Sequence, residues 1–138
     1  METNQKTLRE QGIDAVRAYF KEDRYATLSG CEITNITEEA VTIELKIRPE
    51  LLNANHVVMG GAIYTLADFA AAVASNIDGT GSVGVESSIR FYAASKGSKL
   101  IAVCKIDREG RRLGHYNVTV TDDLGKKIAG VTLVMFHA

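Results

Sequence analysis

The chain has 138 residues, of which 46% are hydrophobic and 24% charged, and its formal net charge is −1. This length suits one domain that buries its own apolar core. The balanced charge gives no support for a nucleic-acid-binding surface or for binding to an anionic membrane, since both favour clustered Lys and Arg. The polar first ten residues lack the apolar stretch of a secretory signal, so we expect a cytoplasmic protein.

The first predicted element is a helix over about residues 6–22, because apolar residues recur there at three- and four-residue spacings. A short linker follows, with Tyr25 and Leu28 as its expected apolar anchors. Next come residues 31–36 and a strictly alternating stretch over residues 41–48, which together predict a β-hairpin.

A loop over residues 51–58 leads to a predicted helix over residues 60–76, which is rich in alanine and apolar on almost every face. Such a helix is a buried one, and Asp68 is its one acid. Short turns then separate four more predicted strands, so the pairing is antiparallel. We therefore predict an α+β fold: about six strands wrapped around a long central helix. The four strands span about residues 82–92, 99–108, 113–121 and 127–136.

No linker rich in Ser, Pro or Gly divides the chain, which predicts one domain over residues 1–138 with a helical extension at residues 1–29. No His, Cys, Asp or Glu residues have metal-ligand spacing, so we expect no metal. The two thiols, Cys31 and Cys104, are expected to be reduced and structural. His115 and His137 are also expected to be structural.

Asn53 is followed by Met-Gly-Gly at residues 59–61 and by Leu-Ala-Asp at residues 66–68. Residues 84–92, Gly-Val-Glu-Ser-Ser-Ile-Arg-Phe-Tyr, begin the strand after the central helix. These motifs resemble those of the hotdog-fold thioesterase superfamily, in its PaaI-like branch of acyl-CoA thioesterases. The resemblance covers about residues 30–138 and implies the hotdog fold, in which an antiparallel sheet wraps a central helix.

Thioester hydrolysis needs an activated nucleophile and donors for the developing oxyanion. A helix N-terminus offers unpaired N–H groups, and two glycines let a carbonyl approach them closely. Asp68 is costly in an apolar helix unless it is solvated or hydrogen-bonded, which makes it the candidate base or nucleophile. The resemblance implies that the Gly60 N–H is the oxyanion donor and that Asn53 positions the water or the carboxylate. It also implies that Asp68 of one subunit faces the glycine turn of another, in a homodimer or a dimer of dimers.

Other candidate substrate-binding residues surround this motif. Gly61 and Met59 are expected to line the site, although the family has histidine where Met59 stands. His56, three residues earlier, either faces solvent or lies beside the substrate. Arg90 and Arg111 flank turns and are candidate contacts for the phosphates of CoA, with solvation the simpler explanation for most of the basic residues.

The predicted function is hydrolysis of a short- or medium-chain or aryl acyl-CoA, with no cofactor beyond the CoA thioester itself and no nucleic-acid or membrane partner. Other interpretations stay open: Asp68 satisfied in a core network, the glycines as a packing feature, or Asn55 in place of Asn53. Two other functions also stay open. One is a non-catalytic acyl-CoA-binding or regulatory protein, and the other is a hotdog dehydratase.

Overall fold

The computed structural model describes residues 5–138, and in it the predicted first helix is interrupted. The chain forms α1 (Leu8–Gln11) and α2 (Ile13–Phe20) instead of one helix. Gly12 separates them with a φ of +98°, a conformation that glycine adopts without steric cost. The part of the predicted extension at residues 1–4 lies outside the described residues.

The segment predicted as a linker is a short helix, α3 (Arg24–Leu28). Tyr25 and Leu28 were expected to anchor it, but they are 77% and 80% exposed. The buried residue of this helix is Ala26. The prediction was wrong because the side of α3 that meets the core is decided by its packing on the rest of the chain, and that side carries the small residue.

As predicted, residues 5–138 contain one antiparallel sheet of six strands. Their order in the sheet, which the sequence did not predict, is β1-β2-β4-β5-β6-β3. β1 and β2 form the predicted hairpin, and a 3₁₀ turn at Pro49–Leu51 follows it. β3 pairs with β6, so the strand after the central helix lies at the far edge of the sheet. The strands are β1 (Cys31–Ile36), β2 (Ala40–Lys46), β3 (Ser82–Phe91), β4 (Lys99–Glu109), β5 (Leu113–Asp122) and β6 (Lys127–His137).

The predicted central helix is α4 (Gly60–Asn76), which packs against β2 to β6. Leu66, Ala67, Ala70 and Val73 are fully buried on its sheet-facing side. Their small or compact side chains let the sheet curve closely around the helix, which confirms the hotdog architecture. Across residues 5–138, no helix has both the length and the apolar character needed to cross a bilayer.

The edge strand β3 is little buried compared with the other strands. Val83 and Val85 are 56% and 57% exposed, although both are apolar. A long apolar edge strand presents unpaired backbone groups to any other strand, so proteins usually cover or pair it.

Candidate active site

The first turn of α4 carries two backbone amides without acceptors. The N-cap residue, Met59, accepts hydrogen bonds at its carbonyl from the amides of Ala62 (3.0 Å) and Ile63 (3.2 Å). The amides of Gly60 and Gly61 have no acceptor among residues 5–138. Two donors at the positive end of the helix dipole are therefore free to bind a partial or full negative charge.

A cavity of about 420 Å³ adjoins this turn. Gly60 lines it, and the ring of Phe91 lies close by: a Cβ added to Gly60 would be 3.1 Å from the ring's Cζ. Glycine therefore allows the ring to pack closely against this turn, and it also leaves the amides open to approach. The other lining residues are Val57, Val58, Ile63, Tyr92, Ala93, Ala94, Ser95, Leu100 and Ile128.

Asn53 holds the loop that leads into α4. Its Oδ1 accepts hydrogen bonds from the amides of Asn55 (2.9 Å) and Val57 (3.3 Å), and its own amide donates to the Val57 carbonyl (2.8 Å). This arrangement distinguishes Asn53 from Asn55 as the organising residue of the loop. The Asn53 side-chain amide has no acceptor among the described residues, so its predicted contact with a water or a carboxylate stays a prediction.

The side chain of Asp68 on α4 is exposed in the single chain. It borders two clefts. The first, of about 310 Å³, lies toward α3, and the second, of about 440 Å³, lies toward β3. Tyr64 borders both clefts and is linked to β3 by a 2.6 Å hydrogen bond between its hydroxyl and Ser87 Oγ. Asp68 is thus reachable from outside the core.

Although Asp68 reaches solvent, the atoms around it partly desolvate its carboxyl, which raises its pKa above the usual value, and the negative charge of Asp23 raises the pKa further. No hydrogen bond to the Asp68 carboxylate offsets these effects among residues 5–138. An acid satisfied in a core network, the alternative interpretation of Asp68, does not match this geometry. A carboxyl with a raised pKa in a cleft is instead typical of a catalytic base or nucleophile.

The two halves of the predicted site do not meet within one chain. Gly60 and Asp68 are eight residues apart on α4, a separation of about 12 Å along the axis. They also open into different cavities. One chain alone therefore does not bring the free amides to the carboxylate.

The remaining candidate residues are dispersed. Met59 is 57% exposed, and its Cε would lie 3.9 Å from a Cβ on Gly61. His56 is exposed in the loop with a φ of +61°. Arg90 lines a shallow cavity formed by β3, β5 and β6. Arg111 lies in the β4–β5 turn, at the end of the sheet opposite Gly60 of the same chain.

Other reactive side chains have structural environments. Burial raises the pKa of Cys31 and of Cys104 to about 12, so neither thiol is a nucleophile at neutral pH. His137 contacts Ser82 Oγ through Nδ1 (2.6 Å) and Glu109 through Nε2. This contact ties together the ends of β3, β4 and β6.

Sequence reasoning missed Asp23, Tyr64 and Phe91. Tyr64 precedes Asp68 by four residues, and that helical spacing places the two on one face of α4. No comparable signal marks Asp23 or Phe91, which reach the site through tertiary packing.

Comparison with known proteins agrees with the fold and identifies the family. The family described as the thioesterase superfamily matches residues 55–129. A protein of Archaeoglobus fulgidus named "Putative esterase" is 35% identical over 121 residues, which cover 86% of this chain and 79% of the relative. The acyl-coenzyme A thioesterase PaaI of Escherichia coli is 26% identical over 113 residues, which cover 81% of each protein.

Among solved structures, the E. coli PaaI protein superposes with a TM-score of 0.82 at 23% identity, covering 88% of both chains. A protein of Streptococcus pneumoniae described as a hypothetical thioesterase and solved with coenzyme A has a TM-score of 0.77 at 24% identity, and the match covers 85% of this chain and 94% of the other. At these identities the structural likeness shows the fold alone. The family match and the archaeal relative also show to which family the chain belongs. The chain belongs to the thioesterase superfamily, as a PaaI-like thioester hydrolase with the hotdog fold.

Proposed function

We propose that the protein hydrolyses a short- or medium-chain or aryl acyl-CoA to the free acid and CoA. The observation that carries this proposal is Asp68, an unpaired carboxyl with a raised pKa that borders two clefts. CoA as the carrier is supported by the name of the E. coli relative. It is also supported by the S. pneumoniae structure with coenzyme A and a Streptococcus mutans structure bound to acetyl CoA.

In this proposal Asp68 either removes a proton from the attacking water or attacks the thioester carbonyl directly. The carbonyl oxygen gains negative charge as the new C–O bond forms, and the Gly60 N–H donates to it with Gly61 beside it. The C–S bond then breaks, and CoA leaves as the thiol, with its proton from Asp68 on the water route or from solvent on the direct route. On the direct route the acyl group is left as a mixed anhydride with Asp68, and water hydrolyses it to release the free acid and restore the carboxylate. Asn53 holds the loop before α4 and directs its side-chain amide toward the water or the carboxylate.

A homodimer completes the site in this proposal. Asp68 and Gly60 of one chain open into different cavities, so the Asp68 carboxylate needs the glycine turn of a second chain. The exposed edge of β3 supplies a surface for that second chain: Val83 and Val85 are apolar, and Val85 also borders the Asp68 cleft. Pairing β3 of two chains would continue the sheet and cover this edge.

Arg90 and Arg111 are the proposed contacts for the phosphates of CoA. Neither forms an ion pair among residues 5–138, so both guanidinium groups are free for an anion. Arg111 is remote from Gly60 of its own chain, and it would therefore serve a site that includes the partner's glycine turn. His56 and Met59 would contact the substrate from the exposed loop before α4.

Thiol release from a panel of acyl-CoAs tests the proposal, with wild type compared with Asp68→Asn. The isosteric amide keeps the shape of the side chain and cannot act as base or nucleophile, so kcat should fall by roughly 10²–10⁴-fold. Asp107→Asn, on the exposed end of β4, is the matched control and should retain full activity.

The same assay separates the other functions. A wild-type protein that binds CoA but releases thiol from no thioester would favour a non-catalytic acyl-CoA-binding protein. Conversion of 3-hydroxyacyl-CoA to enoyl-CoA without thiol release would favour a dehydratase.

A further inference from the structure

Phe69, the residue after Asp68, separates two cavities. One is the cleft of about 310 Å³ between α3 and α4, which Asp68 borders. The other, of about 330 Å³, lies between α2, α3, β1 and α4. The Phe69 side chain lines both, is only 2% exposed, and packs edge-to-face on Phe20 with the ring centroids 6.1 Å apart. Phe69 is therefore a wall that the two cavities share.

The second cavity, which we call the α2–α3 cavity, has an apolar floor. Phe20, Cys31 and Ile33 form it together with Phe69. The Cys31 thiol is neutral at physiological pH, since burial raises its pKa to about 12. Arg17 reaches the rim, but its guanidinium already donates to the Ile33 carbonyl (2.8 Å) and to Asp14 (3.4 Å). The floor thus suits an alkyl or aryl group.

The two clefts that Asp68 borders are the two possible routes for the acyl tail. An acyl carbonyl beside this carboxylate can extend its tail into either neighbouring cleft. The cleft toward β3 is bordered by Glu86, Ser87 and the strand edge that pairs with the second chain in the proposed dimer. The cleft toward α3 has a mixed lining that includes the charged Asp23 and Arg24. Its apolar part, formed by Ala26, Ala72 and Phe69, suits an apolar tail.

We propose that Phe69 sets the length of the acyl group that the enzyme accepts, and that the α2–α3 cavity is an acyl-tail pocket closed by its ring. This inference rests on the proposed hydrolysis of acyl-CoA. With the ring in place, the tail ends in the cleft beside Asp68, and short acyl groups are preferred. With the ring removed, the two cavities join and a longer tail gains apolar contacts beyond it.

The test compares kcat/KM for decanoyl-CoA and butyryl-CoA in wild type, Phe69→Ala and Phe69→Leu. The ratio of decanoyl to butyryl should rise at least about tenfold in Phe69→Ala, since even one methylene in an apolar pocket can be worth about that factor. In Phe69→Leu the same ratio should rise less. This milder variant provides the test if the alanine variant does not fold. The control is Val73→Ala, a fully buried residue one turn further along α4 that lines neither cavity.

A second variant that fills the α2–α3 cavity tests whether the acyl tail enters it. Thr27 lines the α2–α3 cavity on α3, so the double variant Phe69→Ala/Thr27→Phe should lose the gain for decanoyl-CoA. A gain that persists in the double variant, or that appears equally in Val73→Ala, would mean general loosening of the helix and overturn the inference.

Failure of the inference and failure of the proposed function give different results. Wild type that hydrolyses butyryl-CoA, with the same substrate ratio in every variant, would overturn the role of Phe69 and leave the hydrolase in place. Wild type that hydrolyses no thioester would overturn the proposed function. In that case calorimetry tests the pocket by measuring the binding of non-hydrolysable butyl and decyl thioethers of CoA. The affinity for the decyl thioether relative to the butyl thioether should be higher in Phe69→Ala than in wild type. An unchanged affinity ratio would refute the acyl-tail pocket.

Discussion

The phenyl ring of Phe91 lies against Gly60, where an added Cβ would be only 3.1 Å from the ring's Cζ. Phe91 is the last residue of β3, and Gly60 is the first residue of α4. The edge strand that we propose as the dimer interface therefore also packs against the turn whose amides we propose as oxyanion donors.

Gly60→Ala should lower kcat/KM by roughly 10- to 100-fold without unfolding the protein. The new methyl group displaces either the Phe91 ring or the first turn of α4, and a shift of about 1 Å in a catalytic donor can cost about 100-fold. Gly79→Ala is the control, because nothing lies within 4 Å of its added Cβ. Thioesterase assays with thermal melting of both variants check this, and full activity in Gly60→Ala would contradict the role of this turn.

Asp23 should tune the pH dependence of hydrolysis through Asp68. A base or nucleophile must be ionised, so the raised pKa of Asp68 places the acid limb of the kcat/KM profile above the usual range of a carboxyl. Within residues 5–138, Arg24 is the cation that borders the same cleft, and it is already paired with Glu22 at 3.3 Å. The other titratable groups bordering the two clefts are Tyr25, Tyr64 and Glu86.

Asp23→Asn removes the negative charge that raises the Asp68 pKa, so the acid limb should move to lower pH. Asp14→Asn, a carboxyl on α2 with a 96% exposed side chain, should leave the limb in place. The measurement is kcat/KM against pH for the three proteins. An acid limb that stays where it is in Asp23→Asn, or moves to higher pH, would show that Asp23 does not act on Asp68.

The same carboxyl should cost stability at neutral pH. The pKa of Asp68 is raised above 3.8 in the folded state. Between pH 3.8 and this raised pKa, the folded protein therefore binds more protons than the unfolded chain. The free energy of unfolding therefore falls as pH rises through that window. Asp68→Asn should be more stable than wild type above the raised pKa and equal to it below 3.8, as measured by urea unfolding across pH.

Asp122→Asn should change the free energy of unfolding at neutral pH in the opposite direction, in the same experiment. A hydrogen bond from Ser95 Oγ (2.7 Å) lowers the pKa of Asp122 below 3.8. Its contribution to stability is present above 3.8 and is lost as pH falls through the lowered value. Asp122→Asn should therefore destabilise the protein at neutral pH. If Asp68→Asn destabilised it as well, the Asp68 carboxylate would have a stabilising partner.

The elements that were predictable from sequence are those with a regular pattern. Alternation identified β1 and β2, and the apolar, alanine-rich stretch identified α4. Gly12 was missed because a helical apolar period can continue across a single glycine while the backbone turns. Tyr25 was misplaced because apolarity alone does not show which side of a short helix meets the core.

The candidate site divides in the same way. Gly60 and Asp68 are recognisable because their separation is a property of one helix. Asp23 and Phe91 lie outside that helix, and their contacts with it depend on how α3 and β3 pack. Local sequence thus locates the reacting groups, whereas tertiary structure supplies the neighbours that tune them.

The edge of β3 provides the last prediction, because an apolar edge strand should pair with another strand. Val83→Lys places a charge on this edge, which opposes strand pairing. We expect light scattering to give the mass of two chains for wild type and of one for Val83→Lys, with hydrolysis lost together with the dimer. Leu124→Lys, at a 69% exposed position in the β5–β6 turn, should stay dimeric and active. Full activity in a monomeric Val83→Lys would mean that one chain suffices, and the carboxylate and the glycine turn would then need a meeting point other than the dimer.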